Sequence, residues 1–132
     1  MTLVDSNVLL DVIIKDPVWL DWSIEALDRR TAEGRLYVDE IVYAELAVKN
    51  ESEAALDESL RILRVELTPI PKSAYFLAGK IFGRYRAAGG TRPSNLPDFF
   101  IGAHAQIAGL AILTRDVRRY RSYFPDVELI AP

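Results

Sequence analysis

Cysteine is absent from the 132 residues, histidine and methionine occur once each, and no lysine follows Lys80. Without cysteine there are no disulfides and no thiolate metal sites, so any metal must be held by oxygen. The same absence fits a reducing compartment. Long apolar runs are missing too, since no stretch approaches the roughly 20 apolar residues of a membrane span. The N-terminus has no basic leader, and Asp5 and Asp11 interrupt its apolar run, so it does not read as a signal peptide. The expectation is a soluble, cytoplasmic protein with no membrane partner.

What is present describes a globular chain. Half the residues are hydrophobic and 27% are charged, which excludes a disordered or fibrous protein. The length suits one domain over residues 1–132, long enough to bury roughly two-thirds of the surface its unfolded chain exposes. A formal net charge of −3 argues against a domain that coats nucleic acid non-specifically. The distribution says more than the sum. Arginine dominates the basic residues, and Arg115, Arg118, Arg119 and Arg121 crowd the C-terminal fifth, with Arg84, Arg86 and Arg92 in a second group. Guanidinium forks suit phosphate oxygens, although for each arginine by itself a solvated helix face is the plainer account.

The stretch Met1–Asp11 organises the rest. Thr2-Leu3-Val4 is a short apolar run that stops at Asp5, and Ser6 and Asn7 follow, both turn and capping residues. Val8, Leu9, Val12 and Ile13 then recur at helical spacing. A strand therefore feeds a helix, and Asp5 stands at the carboxyl end of that strand, the rim where parallel sheets bind ligands. Taken alone, Asp5 is more readily read as a helix cap, since caps are far commoner than active sites.

Further along, Asp16-Pro17 has the form of a cap and first helical residue, with Leu20, Ile24 and Leu27 as an apolar stripe ending at Gly34. Leu36-Tyr37-Val38 predicts a second strand, and Asp39 a cap for a helix carrying Glu45 in apolar company. Ser52–Leu63 predicts a helix, Val65–Ile70 a third strand and Ser73–Ala88 a helix. Gly89–Asn95 predicts a loop. Pro97 opens a helix to Ala108 that is apolar on nearly every position and hence buried, closed by Gly109. Leu110–Leu113 is an all-apolar strand with Thr114-Arg115-Asp116 at its end. A short basic helix to Tyr123 and a strand Val127–Ile130 complete the chain. Alternation of this kind specifies an α/β domain: a mainly parallel central sheet of four to five strands flanked by helices, most crossovers using two helices.

Asp5 and Asp116 each follow an apolar strand and so share one rim. Asp98 lies in the first turn of a helix leading into a strand, where the positive helix end favours a carboxylate. Glu45 joins them if its helix covers the same rim. Each acid has a capping or ion-pair alternative, but the coincidence of four points to one crevice. Two unit charges about 5 Å apart repel by roughly 3 kcal/mol at an effective dielectric near 20, so something cationic must offset the cluster. No lysine lies near Asp116, and a hard divalent cation, Mg²⁺ or Mn²⁺, is the natural occupant.

Asp5-Ser6-Asn7, Tyr43-Ala44-Glu45-Leu46, Asp98 with Ile101, Ala103, Ala105 and Gly109, and Thr114-Arg115-Asp116 resemble, in order and spacing, the PIN-domain ribonucleases, in particular VapC toxins of bacterial toxin–antitoxin pairs. The resemblance spans nearly the whole chain. It implies a single PIN-like domain, Mg²⁺ or Mn²⁺ bound by four acids, cleavage of RNA, a homodimer and a cognate antitoxin protein. Asp5, Glu45, Asp98 and Asp116 match the acidic quartet, and Asn7 and Thr114 the polar residues that support it. Some members carry a further acid where this chain has Arg118 and Arg119, which puts a second metal position in doubt. Arg115, Arg118, Arg119 and Arg121 are the candidates for holding an RNA strand through its phosphates.

Two rivals are enzymatic. A phosphoryl-accepting receiver-like domain expects an acceptor Asp after its third strand and a Lys after its fifth, and neither is visible. A phosphatase using Asp5 would want a second Asp two residues on, where Asn7 stands. The non-enzymatic rival is a non-catalytic α/β interaction module whose acids merely cap helices. His104, six residues after Asp98, falls off the acidic face and reads as packed or surface. Asp11 reads as a surface or salt-bridge residue; Trp19 and Trp22, with Tyr75 and Phe76, could stack bases or form a dimer seam, with core packing the leading account of both sets.

Overall fold

The protein is described here by a computed structural model covering residues 1–92 and 95–132. The loop expected over Gly89–Asn95 includes Pro93 and Ser94, which lie outside the described residues. The elements run β1 (Thr2–Val4), α1 (Ser6–Ile13), α2 (Leu20–Glu33), β2 (Leu36–Val38), α3 (Glu40–Ala47), α4 (Glu53–Ile62), β3 (Val65–Leu67), α5 (Lys72–Ala87), α6 (Leu96–Ala108), β4 (Ala111–Leu113), α7 (Arg118–Tyr123) and β5 (Leu129–Ile130).

The five strands form one wholly parallel sheet in the order β3-β2-β1-β4-β5. β1 and β4 are adjacent, with Thr2 opposite Ala111 and Val4 opposite Leu113, although about a hundred residues separate them in the chain. Successive strands go one way from β1 to β3 and then cross over to β4 on its other side. A crevice opens at such a reversal, outside the strands' carboxyl ends. Both strands are buried along their whole length, as their uninterrupted apolar runs require.

Local chemistry accounts for most element boundaries. Asp39 caps α3 by accepting from Val42 N at 3.0 Å, Ser52 caps α4 by accepting from Ala55 N at 3.1 Å, and Gly109 ends α6 in the left-handed conformation at φ 69°. Five expectations are corrected. α2 begins at Leu20 and not at Pro17, because Asp16 Oδ1 accepts from Val18 N and Trp19 N and uses those residues in a turn. Its inner face is Ser23, Ala26 and Leu27, while Ile24 is 40% exposed. β3 stops at Leu67; Ile70 is buried but gives its N–H to Glu40 Oε1, outside the sheet. Leu110 N bonds back to Ala105 O and finishes α6, so β4 starts at Ala111, and β5 starts at Leu129.

Of the four aromatic residues assigned to the core, Phe76 is 70% and Tyr75 43% exposed, while Trp19 and Trp22 are half-buried and meet edge to face. Among the described residues no helix is long and apolar enough to cross a membrane.

The contact that sets α6 against the end of α7 is close. A Cβ added at Gly102 would stand 2.3 Å from the ring of Phe124, which is itself buried and cannot swing away. Gly102→Ala is therefore expected to destabilise the fold by roughly 1–3 kcal/mol through overpacking. A urea unfolding midpoint equal to that of the wild type would contradict this.

Candidate active site

The reversal in strand order places a crevice of about 260 Å³ over the ends of β1 and β4, lined by Asp5, Ser6, Asn7, Glu45, Asp98, Asp116, Arg119 and Tyr120. Each acid arrives on its own element. Asp5 ends β1 and is the N-cap of α1, so the capping reading and the site reading describe the same residue. Glu45 projects from α3, Asp98 from the first turn of α6, and Asp116 follows β4.

Asp5 is the most constrained. Its backbone N–H bonds to Leu113 O at 2.9 Å, continuing the β1–β4 pairing one residue past the sheet. Oδ1 accepts from Ser6 N at 2.8 Å, and Oδ2 accepts from the Thr114 hydroxyl at 2.8 Å and the Tyr120 hydroxyl at 3.0 Å. Thr114 in turn accepts from Asp116 N and Asn7 Nδ2, and Asn7 Oδ1 accepts from Arg115 N at 3.1 Å. Asn7 and Thr114 thus stitch the turn after β1 to the turn after β4.

The electrostatics follow from packing like charges together. Burial, with the charge of Asp98 added, raises the Asp5 carboxyl to about 6 despite the hydrogen bonds that oppose it. Burial and the neighbouring Asp5 raise Glu45 to about 7. Burial also raises Asp98, against the pull of Arg119. Asp116 moves the other way, held below the usual carboxylate range chiefly by its hydrogen bond with Arg118. Tyr120, buried beside Asp5, is pushed well above its ordinary value and stays a proton donor.

The expectation that only a metal offsets the acids is corrected in part. Lysine is indeed missing, but Arg119 Nε lies 2.7 Å from Asp98 Oδ2 and Arg118 Nε lies 3.3 Å from Asp116 Oδ1. With two carboxylates turned toward guanidinium groups, no three acids or histidines stand as a ready-made ion cage among the described residues. Glu45 Oε1 nonetheless remains buried with no hydrogen-bond partner. An orphaned carboxylate oxygen among further carboxylates suits a hard cation, and the oxygen donor set matches Mg²⁺ or Mn²⁺.

The arginines separate. Arg115 does not face the crevice: its Nε and Nη2 grip Asp11 at 2.7 and 2.9 Å, and its guanidinium sits 4.8 Å from the Trp19 ring centroid. A fork so committed is not available to a phosphate. Asp11, only 2% exposed, also accepts from Ser23, so of the two roles considered for it the ion pair holds and the surface position does not. Arg118 and Arg121 are exposed at the rim-side helix α7. His104 is buried, its Nδ1 2.9 Å from Asp39 Oδ2, and ties α6 to the start of α3. Tyr120 is the residue that sequence reasoning missed. Its only signal was a tyrosine in a short basic helix, and nothing in spacing showed that it would reach Asp5.

A wider groove of about 600 Å³ lies near Tyr43, Asp57, Arg61 and Leu67 at the edge of the sheet. Its Tyr43–Asp57 hydrogen bond of 2.7 Å leaves that pair satisfied, and its acids Glu53, Asp57 and Glu66 form no group of three able to hold a metal ion among the described residues.

The PIN domain family model matches residues 2–124. The chain belongs to the PIN-domain family. No curated protein matches it in sequence. Among solved structures, a chain of VapBC2 from Rickettsia felis bound to a promoter DNA fragment superposes with a TM-score of 0.76 at 19% identity, covering 99% of this chain and 98% of that one. FitAcB from Neisseria gonorrhoeae gives 0.71 at 22% identity, with 100% and 98% covered. A toxin–antitoxin complex from Klebsiella pneumoniae gives 0.66 at 18% identity, with 100% and 98% covered. At such identities the likeness is one of fold. PIN domains are nucleases.

The raised carboxyls give the PIN fold a pH dependence of definite sign. Asp5 and Glu45 bind protons more tightly folded than unfolded, so without added metal their contribution to stability is present below about pH 4 and lost as pH rises through about 6 and 7. In EDTA, Glu45→Gln should therefore melt above the wild type near pH 8 and level with it near pH 4. A variant that melts lower at both would show that Glu45 is not strained.

Proposed function

We propose that the protein is a metal-dependent endoribonuclease, the toxin of a toxin–antitoxin pair, hydrolysing RNA phosphodiester bonds at the crevice over β1 and β4. The observation that carries this reading is the orphaned Glu45 Oε1 beside Asp5, Asp98 and Asp116 at the point where strand order reverses. Acids gathered at a cost in repulsion, with one oxygen left unpaired, are arranged for a cation and not for the fold. Membership of a nuclease family and the likeness to toxin–antitoxin complexes support the same reading.

Mg²⁺ or Mn²⁺, when bound, supplies hydroxide near neutral pH and stabilises charge developing on the phosphate. Asp5 and Glu45 are its first holders, Asp5 kept in place by Thr114 and Tyr120. Asp98 and Asp116 complete the acidic ring, and Asn7 sets the spacing of the two turns. Arg118 and Arg121, exposed on α7, receive the strand through its phosphates. Arg115 is left out of that role because Asp11 holds it. A cognate antitoxin protein and a homodimer belong to the same reading.

The test is cleavage of a mixed cellular RNA pool with Mn²⁺, Mg²⁺ or EDTA, beside Asp98→Asn prepared identically. Cutting that needs the metal and fails in the variant is expected. Equal cutting by both proteins would assign the activity to a contaminant. Among the described residues Arg121 makes no ion pair, so Arg121→Ala should lower the slope of log affinity for RNA against log salt by about 1 for its lost phosphate contact. An unchanged slope would remove Arg121 from the RNA path.

A further inference from the structure

The crevice contains a cation of its own. α7 turns two consecutive side chains inward: Tyr120 to Asp5, and Arg119 to Asp98. The Arg119–Asp98 pair is unlike the pairs on the surface. Its Nε–Oδ2 distance is 2.7 Å, and its side chains are only 30% and 27% exposed, against 82% and 44% for Arg118–Asp116. An exposed pair opens easily and contributes little, whereas a short, part-buried, charge-assisted bond is held.

We infer that Arg119 is a built-in cation that permanently occupies the Asp98 side of the crevice, so that one divalent ion completes the site and a second has no place in it. The inference rests on the nuclease reading above. Charge supports it first. Of the four carboxylates Asp98 alone faces a held, part-buried guanidinium, the exposed Arg118–Asp116 pair opening easily, so a fixed positive charge already stands where a second divalent ion would need that acid. Vacant acceptor capacity supports it next. Asp98 Oδ2 already accepts from a guanidinium, while Glu45 Oε1 is buried and accepts from nothing. The unfilled position is therefore on the Glu45 side.

Arg119 then has a definite division of labour with the ion. A guanidinium does not give up its proton and cannot lower the pKa of water, so it supplies no nucleophile. It does present a fixed positive charge, and beyond Nε its Nη donors make no hydrogen bond among the described residues. Arg119 lines the crevice, where a preorganised positive charge would stabilise charge that develops in the transition state.

The test is the stoichiometry and affinity of Mn²⁺, read by calorimetry and by electron paramagnetic resonance on the full chain without RNA. The wild type should bind one Mn²⁺ per chain. Arg119→Gln should bind Mn²⁺ at least about tenfold more tightly, since it removes a positive charge near the ion and frees Asp98. Arg119→Asp should bind two ions, and Arg119→Lys, which keeps the charge, should stay at one. A bracing role predicts the opposite sign for Arg119→Gln: weaker metal binding together with a lower melting temperature. Two ions on the wild type, or unchanged or weaker binding by Arg119→Gln, would overturn the inference and leave the nuclease reading standing. No binding by any of the four proteins would remove both.

Discussion

Everything at the active end of the molecule depends on holding the carboxylate of Asp5 out of water. It is 5% exposed, at the tip of the central strand, and three donors satisfy it: Ser6 N, the Thr114 hydroxyl and the Tyr120 hydroxyl. A buried carboxylate without such donors would be prohibitively costly. Each donor belongs to a different element, so satisfying Asp5 brings α1, the turn after β4 and α7 to one point. The same arrangement leaves Glu45 half-paired beside it. The repulsion is stored there and not relieved.

Around that centre the chain has spent its other buried charges on bracing. Asp11 and Arg115 bolt the Thr114–Asp116 turn to α1, with Ser23 adding a bond from α2. Asp39 caps α3 with one oxygen and meets His104 of α6 with the other. These two buried pairs lie behind Asp116 and between the helices that carry Glu45 and Asp98. Breaking one partner of such a pair leaves a charge or a polar atom unpaired inside the protein, which costs far more than the pair's net worth. The acids are therefore positioned by rigid supports two turns or less away, and none of them relies on a loose loop.

The PIN domain keeps its crevice acids and its exposed bases on different elements. Carboxylates sit at the floor, on strand ends and helix starts, and arginines sit on α7, one of them reaching into the crevice. Charge of both signs thus meets at one rim in a protein of net charge −3.

Sequence alone determined the architecture and the membership of the acidic set. Apolar runs of strand length ending at Asp5 and Asp116, and a buried helix opening at Asp98, already specify a parallel sheet with acids on one rim, because strand period and helix caps are local properties. Glu45 was legible for the opposite reason, as a charge in apolar company on a helix. What the sequence could not disclose was pairing across long separations. That Arg115 belongs to Asp11, 104 residues away, that Arg119 belongs to Asp98, that Tyr120 reaches Asp5, and that Ile24 faces outward are all decided by how α2, α6 and α7 pack. An arginine carries the same signature whether it waits for a phosphate or closes on a buried aspartate. Only the tertiary structure distinguishes them, because burial sets the cost of leaving the partner's charge unpaired, and burial is a property of the packed fold and not of the chain.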